Sequence, residues 1–147
     1  MWKLEAGERI ARWRAFRIEI GGMPLERAIQ HTAEFWQNCP HSPYYLDPND
    51  PESWPTAWDL ITENYYCDLA KALGMLYTIA YSEHGHNLPM ELCVYNDPES
   101  GYDYNLSVFA QGKYVINFMD GEIVNIESVK EKFKLKRCYD STLLKLK

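Results

Sequence analysis

Cys67 is the side chain in this sequence best suited to covalent chemistry, and its worth as a nucleophile turns on where a helix begins. Should residues 56–73 form one unbroken helix, an advance of about 100° per residue puts Cys67 roughly opposite Trp58, beside Glu63 and Lys71, as an ordinary surface thiol. Should the helix break at Asn64, a residue type that caps helices well, a second helix from Tyr65 holds Cys67 in its first turn. There the unpaired backbone N–H groups and the positive end of the helix dipole favour the thiolate, the form that attacks acyl carbons. Both arrangements are open to the sequence. His84 and His86 are the histidines that could serve such a thiol as base. The same pair, together with Cys39-Pro40-His41, would offer the nitrogen and sulfur donors that zinc prefers, but neither spacing is that of a zinc site and no metal is expected. Asp47, Asp50, Asp59, Glu63 and Asp68 supply carboxylates for acid–base work, although a segment this acidic forms close pairs by chance. No glycine-rich phosphate loop is present, and no cofactor is expected.

The elements that must position Cys67 lie between Trp54 and Tyr81. Trp54, Trp58, Ile61, Tyr65, Leu69 and Ala72 step by threes and fours, which predicts a helix with one stripe on the core; Gly74 ends it, and the alternation of residues 75–81 reads as a strand. Before this, residues 10–20 read as a short helix running into a strand, and Pro24 opens a helix that reaches about Asn38. A proline-rich loop, residues 39–53, follows; at about 15 residues it is long for a compact domain, and such loops are usually functional. After His84-Gly85-His86 come strands at 90–95, 102–110, 113–118 and 123–126 joined by short turns, then a capping box at Ser128-x-x-Glu131 that starts a helix to about Lys136. With no crossover helices, this order predicts an α+β fold: N-terminal helices on an antiparallel β-meander of four to five strands, with a short C-terminal helix and tail. One domain spans residues 1–147, its parts being 1–53, 54–126 and 127–147.

Charge is segregated along the chain. Lys3, Arg9, Arg12, Arg14 and Arg17 against Glu5 and Glu8 give residues 1–17 a net +3, residues 128–147 carry +5, and residues 40–103 carry eleven acids against Lys71, a net −10. Basic ends on an acidic body suit contact with protein partners or with copies of the same chain better than with nucleic acid. Candidate contact residues are Arg12, Trp13, Arg14 and Arg17 at one end, Tyr44, Tyr45 and Leu46 in the proline loop, and Leu143, Leu144 and Leu146 in the tail. The alternative is that both basic ends fold back on the acidic middle, and that the five Trp and eleven Tyr simply fill a core. No apolar run approaches the ~20 residues a bilayer needs, and no signal peptide is evident. The four cysteines form no C-x-x-C pair and read as reduced thiols of a cytoplasmic protein, or of a virion if phage-encoded.

A cysteine near a helix start, a glycine and strand after it, and a hairpin closing on Gly112-Lys113-Tyr114 together resemble the transglutaminase-like branch of the papain-like cysteine fold. The resemblance covers roughly residues 54–117 and is carried by Tyr66-Cys67-Asp68-Leu69-Ala70, Ala72-Leu73-Gly74-Met75 and the strand pair around Gln111-Gly112. It implies a cysteine nucleophile, a histidine base at the head of a following strand and an aspartate on the next strand to orient it. Cys67 matches the nucleophile. The strand that should carry the base begins Tyr102-Asp103-Tyr104-Asn105 without a histidine, the orienting position falls near Asn117, and Tyr66 stands where the family has a glycine. The resemblance therefore implies a degenerate, non-catalytic core, and the general character of the chain is similar to that of small tailed-phage structural and assembly proteins. The leading expectation is a non-catalytic interaction or structural module, a tailed-phage virion or assembly component. The alternative is a cysteine-dependent hydrolase or acyl transferase using Cys67 with His84 or His86.

Overall fold

Four helices come first and a sheet closes over them. The computed structural model describes residues 1–40, 46–63, 66–119 and 121–146. Helix α1 runs Ala6–Gly21, α2 Leu25–Gln37, α3 Ala57–Thr62 and α4 Asp68–Ala80; strands β1 Met90–Asn96, β2 Asp103–Phe109 and β3 Tyr114–Ile116 follow, then α5 Ile126–Lys130 and β4 Lys134–Asp140. The strands form one antiparallel sheet in the order β3-β2-β1-β4, giving an α+β fold. The first three strands make a meander. The last strand crosses back to the far edge beside β1. Residues 123–126, expected as a strand, contribute only a bridge between Val124 and Val115. The short helix is α5, capped by the Asn125 side chain rather than at Ser128, and the chain is already a strand by Lys134.

Two helical segments replace expected strands. Residues 16–20 alternate in hydrophobicity because Ile18 is apolar, yet Ile18 is 67% exposed on α1 while Trp13, Phe16 and Ile20 form its buried stripe. Residues 75–79 are buried on every side as the second half of α4, so period 2 and period 3.6 cannot be told apart there. Gly74 does not end this helix. It lies inside α4 where Trp36 of α2 crosses: a Cβ at Gly74 would sit 2.5 Å from the buried indole. Gly74→Ala gains roughly 1 kcal/mol of helix propensity but overpacks the crossing by about 1–3 kcal/mol. Net destabilisation is expected in urea melts, and it should shrink when Trp36→Phe is combined with it.

Thr78, one turn further along α4, is the polar centre of this core. Its Oγ1 accepts from Trp13 Nε1 at 3.0 Å and from Trp36 Nε1 at 2.8 Å, and donates to Gly74 O at 2.7 Å. One hydroxyl thus pins α1, α2 and α4 together.

The middle of the sheet is covered on both faces, so most of β1 and the second half of β2 are buried rather than half-buried, while the edge strand β4 is mostly exposed. Leu92 and Ser107 face α4, where Ser107 Oγ donates to Ala72 O at 2.7 Å. On the other face Cys93, Tyr95, Leu106 and Val108 pack with Val129 of α5 and with Phe118 and Phe133. Cys93 and Cys138 stand directly opposite across β1 and β4, with Cα atoms 4.2 Å apart, and form a disulfide. This corrects the expectation of four reduced thiols; Cys39 and Cys67 are the free ones. A cross-link between residues 45 apart in sequence restricts the unfolded chain by about 4 kcal/mol on the chain-entropy account. Among the described residues no helix is long and apolar enough to cross a membrane.

Candidate active site

The chain does break between Trp58 and Lys71, and the break brings Cys67 to a helix terminus. Helix α3 opens with a capping box between Thr56 and Asp59 and stops at Glu63, whose backbone is extended. Its last carbonyls are taken by side chains from elsewhere: Ile61 O accepts from Arg9 Nη1, and Leu60 O accepts from the fully buried Tyr66 hydroxyl. With Tyr66 anchored against Trp2 and Trp36, the chain turns and α4 starts at Asp68. Cys67 is its N-cap, one position ahead of the expected first turn, with extended backbone and a thiol that makes no capping bond. Asn64 and Tyr65, on which the expected break was placed, lie outside the described residues.

The first bond within α4 is Lys71 N to Cys67 O at 3.0 Å. The N–H groups of Asp68, Leu69 and Ala70 therefore precede the ladder, at the end where a helix favours negative charge. Cys67, Asp68 and Leu69 form the floor of a cleft of about 280 Å³. Val94 of β1, with Tyr102, Asp103 and Asn105 at the head of β2, makes one wall; Leu46 and Pro48 of the proline loop make the other. The loop wall is held by its carbonyls: Asp47 O accepts from Trp54 Nε1 at 2.7 Å, and Pro48 O from Tyr139 Oη at 3.0 Å and Arg137 Nη1 at 3.4 Å. A bulge in β4 between the partners of Val94 and Tyr95 leaves Lys136 as an extra residue, and its ammonium bonds Asp103 at 2.9 Å on the cleft's rim.

Beside Cys67, three polar side chains from three elements meet. Asp68 Oδ2 accepts from Asn105 N at 3.2 Å and Asn105 Nδ2 at 3.0 Å, and Asp68 Oδ1 accepts from Asn117 Nδ2 at 3.2 Å. Asn117, in left-handed backbone with φ 70° just past β3, also donates to Asn105 O at 2.8 Å. Asn105, on the strand where the resemblance calls for a base, and Asn117, near the expected orienting position, both converge on a carboxylate next to the cysteine. Asn105 Oδ1 is buried and has no partner among the described residues. Burial pushes the Asp68 carboxyl up from its ordinary range, against the N–H donors that hold its charged form.

The proposed bases are elsewhere. His84 sits in a short 3-10 turn, Glu83–Gly85, beyond the C-terminus of α4, with Nε2 3.0 Å from Ile20 O, and His86 follows it on the surface. A helix of 13 residues separates them from Cys67 by roughly 20 Å. Of the candidate contact residues, Arg12 and Arg14 are exposed, whereas Trp13 and Leu144 are buried in the core and so are not surface anchors. The Arg17 guanidinium lies 4.2 Å above the Trp13 ring, covering it. Leu46 lines the cleft, Leu143 is half-buried, Leu146 is exposed, and Tyr44 and Tyr45 fall outside the described residues, as does His41. The sequence reading missed the convergence of Asp68, Asn105 and Asn117. Its one local signal is a carboxylate directly after the cysteine.

No family model matches the chain, and no curated protein does by sequence. Among solved structures, calcium-bound LapG of Legionella pneumophila is similar to it with a TM-score of 0.71 and 11% identity, over 95% of this chain and 78% of that one. A second LapG structure gives 0.70 and 12% identity over 92% and 76%, and an EGTA-treated one 0.69 and 12% over 91% and 73%. These likenesses correct the expectation of a non-catalytic tailed-phage component. The architecture found is that of LapG. The chain shares the fold of LapG, with Cys67 as the N-cap of α4.

Proposed function

We propose that this protein is a cysteine-dependent hydrolase or acyl transferase in which Cys67 is the nucleophile. The observation that carries the reading is the placement of Cys67, 3% exposed, as N-cap of a 13-residue helix in the lining of a cleft. The Cys67 sulfur attacks an acyl carbon held between the loop wall and the head of β2. The negative oxygen that develops is met by the N–H groups at the start of α4, which need no reorganisation to receive it. The proton of the thiol passes to the Asp68 carboxylate, directly or through one water. Its upward shift by burial brings that carboxylate closer to the working pH, as a general base requires. Collapse of the tetrahedral intermediate expels the leaving group and leaves an S-acyl Cys67, which water or a second nucleophile then relieves.

One LapG structure holds calcium. In this chain the one group of candidate metal ligands found among the described residues is Glu91, Cys93 and Cys138. Two sulfurs are the wrong donors for calcium, which takes oxygen.

The test is acylation by an activated aryl ester, read by intact-protein and peptide mass spectrometry. A single acyl group on Cys67, absent in Cys67→Ala and formed roughly 10²–10⁴-fold more slowly in Asp68→Asn, is the expected result. Cys39 is the internal control, since burial pushes its thiol up to about 12. Acylation at Cys39, or at no cysteine, would sink the proposal.

A further inference from the structure

Glu91, Cys93 and Cys138 share the face of the sheet turned away from Cys67. Glu91 and Cys93 are two residues apart on β1 and so point the same way; Cys138 of β4 is the register partner of Cys93. One carboxylate oxygen and the two sulfurs lie within 4.8 Å of one another. The Cys93 sulfur is 3.8 Å from Glu91 Oε2. They border a depression of about 220 Å³ with Lys130 and Leu135 on its rim. Cys93 is buried and Cys138 exposed, so the group is reachable from one side.

We propose that, when the Cys93–Cys138 disulfide is reduced, these three side chains form a binding site for a thiophilic divalent cation such as zinc. Two electrons from a cellular dithiol, or from a phosphine in the test tube, break the S–S bond and yield two thiols. The cation then displaces both thiol protons, binds the two thiolates and the Glu91 carboxylate, and keeps a fourth position for water. Thiolate with carboxylate suits zinc and cadmium, whose bonds to sulfur are about 2.3 Å or somewhat longer. The paired strands supply the preorganisation: a register fixed by β1–β4 hydrogen bonds holds the donors together without help from the metal. Disulfide and metal are alternative clasps at one place, one for oxidising and one for reducing surroundings. This site does not depend on the reading of Cys67.

The experiment titrates the phosphine-reduced full chain with cadmium(II), following thiolate-to-cadmium charge-transfer absorbance, with zinc(II) measured by competition against a chromophoric chelator. One equivalent bound by the reduced protein and none by the oxidised protein is expected. Cys138→Ser should weaken binding roughly 100-fold and Glu91→Gln roughly tenfold. The double variant Cys93→Ser with Cys138→Ser keeps Cys39 and Cys67 and serves as the control. Binding in that variant equal to the native chain, equal binding by the oxidised and reduced forms, or no binding to the reduced form overturns the proposal.

Discussion

Asn105→His is expected to raise the rate at which Cys67 turns over an ester or anilide by about 10²–10⁴-fold, the usual worth of a positioned general base. Residue 105 and Cys67 border the same cleft, and the side chain at 105 already donates to Asp68 Oδ2 at 3.0 Å. An imidazole there keeps that bond through one ring N–H and turns its other nitrogen to the cysteine. Asp68 then changes from proton acceptor to orienter, and the three groups become a Cys-His-Asp set with the carboxylate drawn from α4. Steady-state kinetics with paired ester and anilide substrates is the measurement. The anilide should gain more, because an amine leaving group must be protonated and an imidazolium turned to the cysteine is better placed to do it than Asp68. Asn105→Gln keeps a carboxamide of greater reach and should gain nothing. A variant whose rate and pH profile match the parent would show that the head of β2 does not face the reacting atoms.

Thr78→Val should destabilise the protein by about 2–6 kcal/mol although it keeps the branched shape of the side chain. The substitution removes one hydroxyl and leaves two indole N–H groups, of Trp13 and Trp36, buried without a partner. Each unsatisfied donor costs about 1–3 kcal/mol. The expected fall in melting temperature is roughly 4–24 °C at the 2–4 °C per kcal/mol usual for this size. Thr78→Ser, which keeps the oxygen and loses a methyl group, should cost about 1 kcal/mol. If valine were tolerated as well as serine, the bonds to Thr78 would be incidental to a core held by packing alone.

The parts of the molecule that could be read in the sequence were those with one buried face or a specific terminator. Residues 25–37 carry a clean apolar stripe and a proline at the start, and α2 lies there. The hairpin β2–β3 turns at Gln111-Gly112, where Ala110, Gln111 and Gly112 all have positive φ. Periodicity failed where burial is complete. Along Met75–Ile79 every residue is inside, so the pattern holds no information about which face is inner. Gly74 was misread for a related reason: a glycine that admits a tryptophan has the same letter as one that ends a helix. The placement of Cys67 at a helix start was legible as one of two alternatives, since capping chemistry is local. The Asp68–Asn105–Asn117 cluster was not, because its members are 37 and 49 residues apart and meet only through strand register. The disulfide was hidden in the same way, its partners being adjacent only once β4 has crossed to the side of β1.

That crossing bears on when the cleft comes into being. Its loop wall rests on Pro48 O, whose donors Arg137 and Tyr139 lie 89 and 91 residues further along the chain. Closing such a span costs about 2 kcal/mol more in chain entropy than closing ten residues. Contacts of that separation belong to the late, slow part of assembly. A chain emerging from the ribosome can therefore form α1 to α4 and the β1–β2 hairpin while one side of the cleft is still unbuilt. Cys67 would stand at a finished helix terminus facing an unfinished wall. If Cys67 acts as proposed, the cleft that would hold its substrate is complete only when β4 docks.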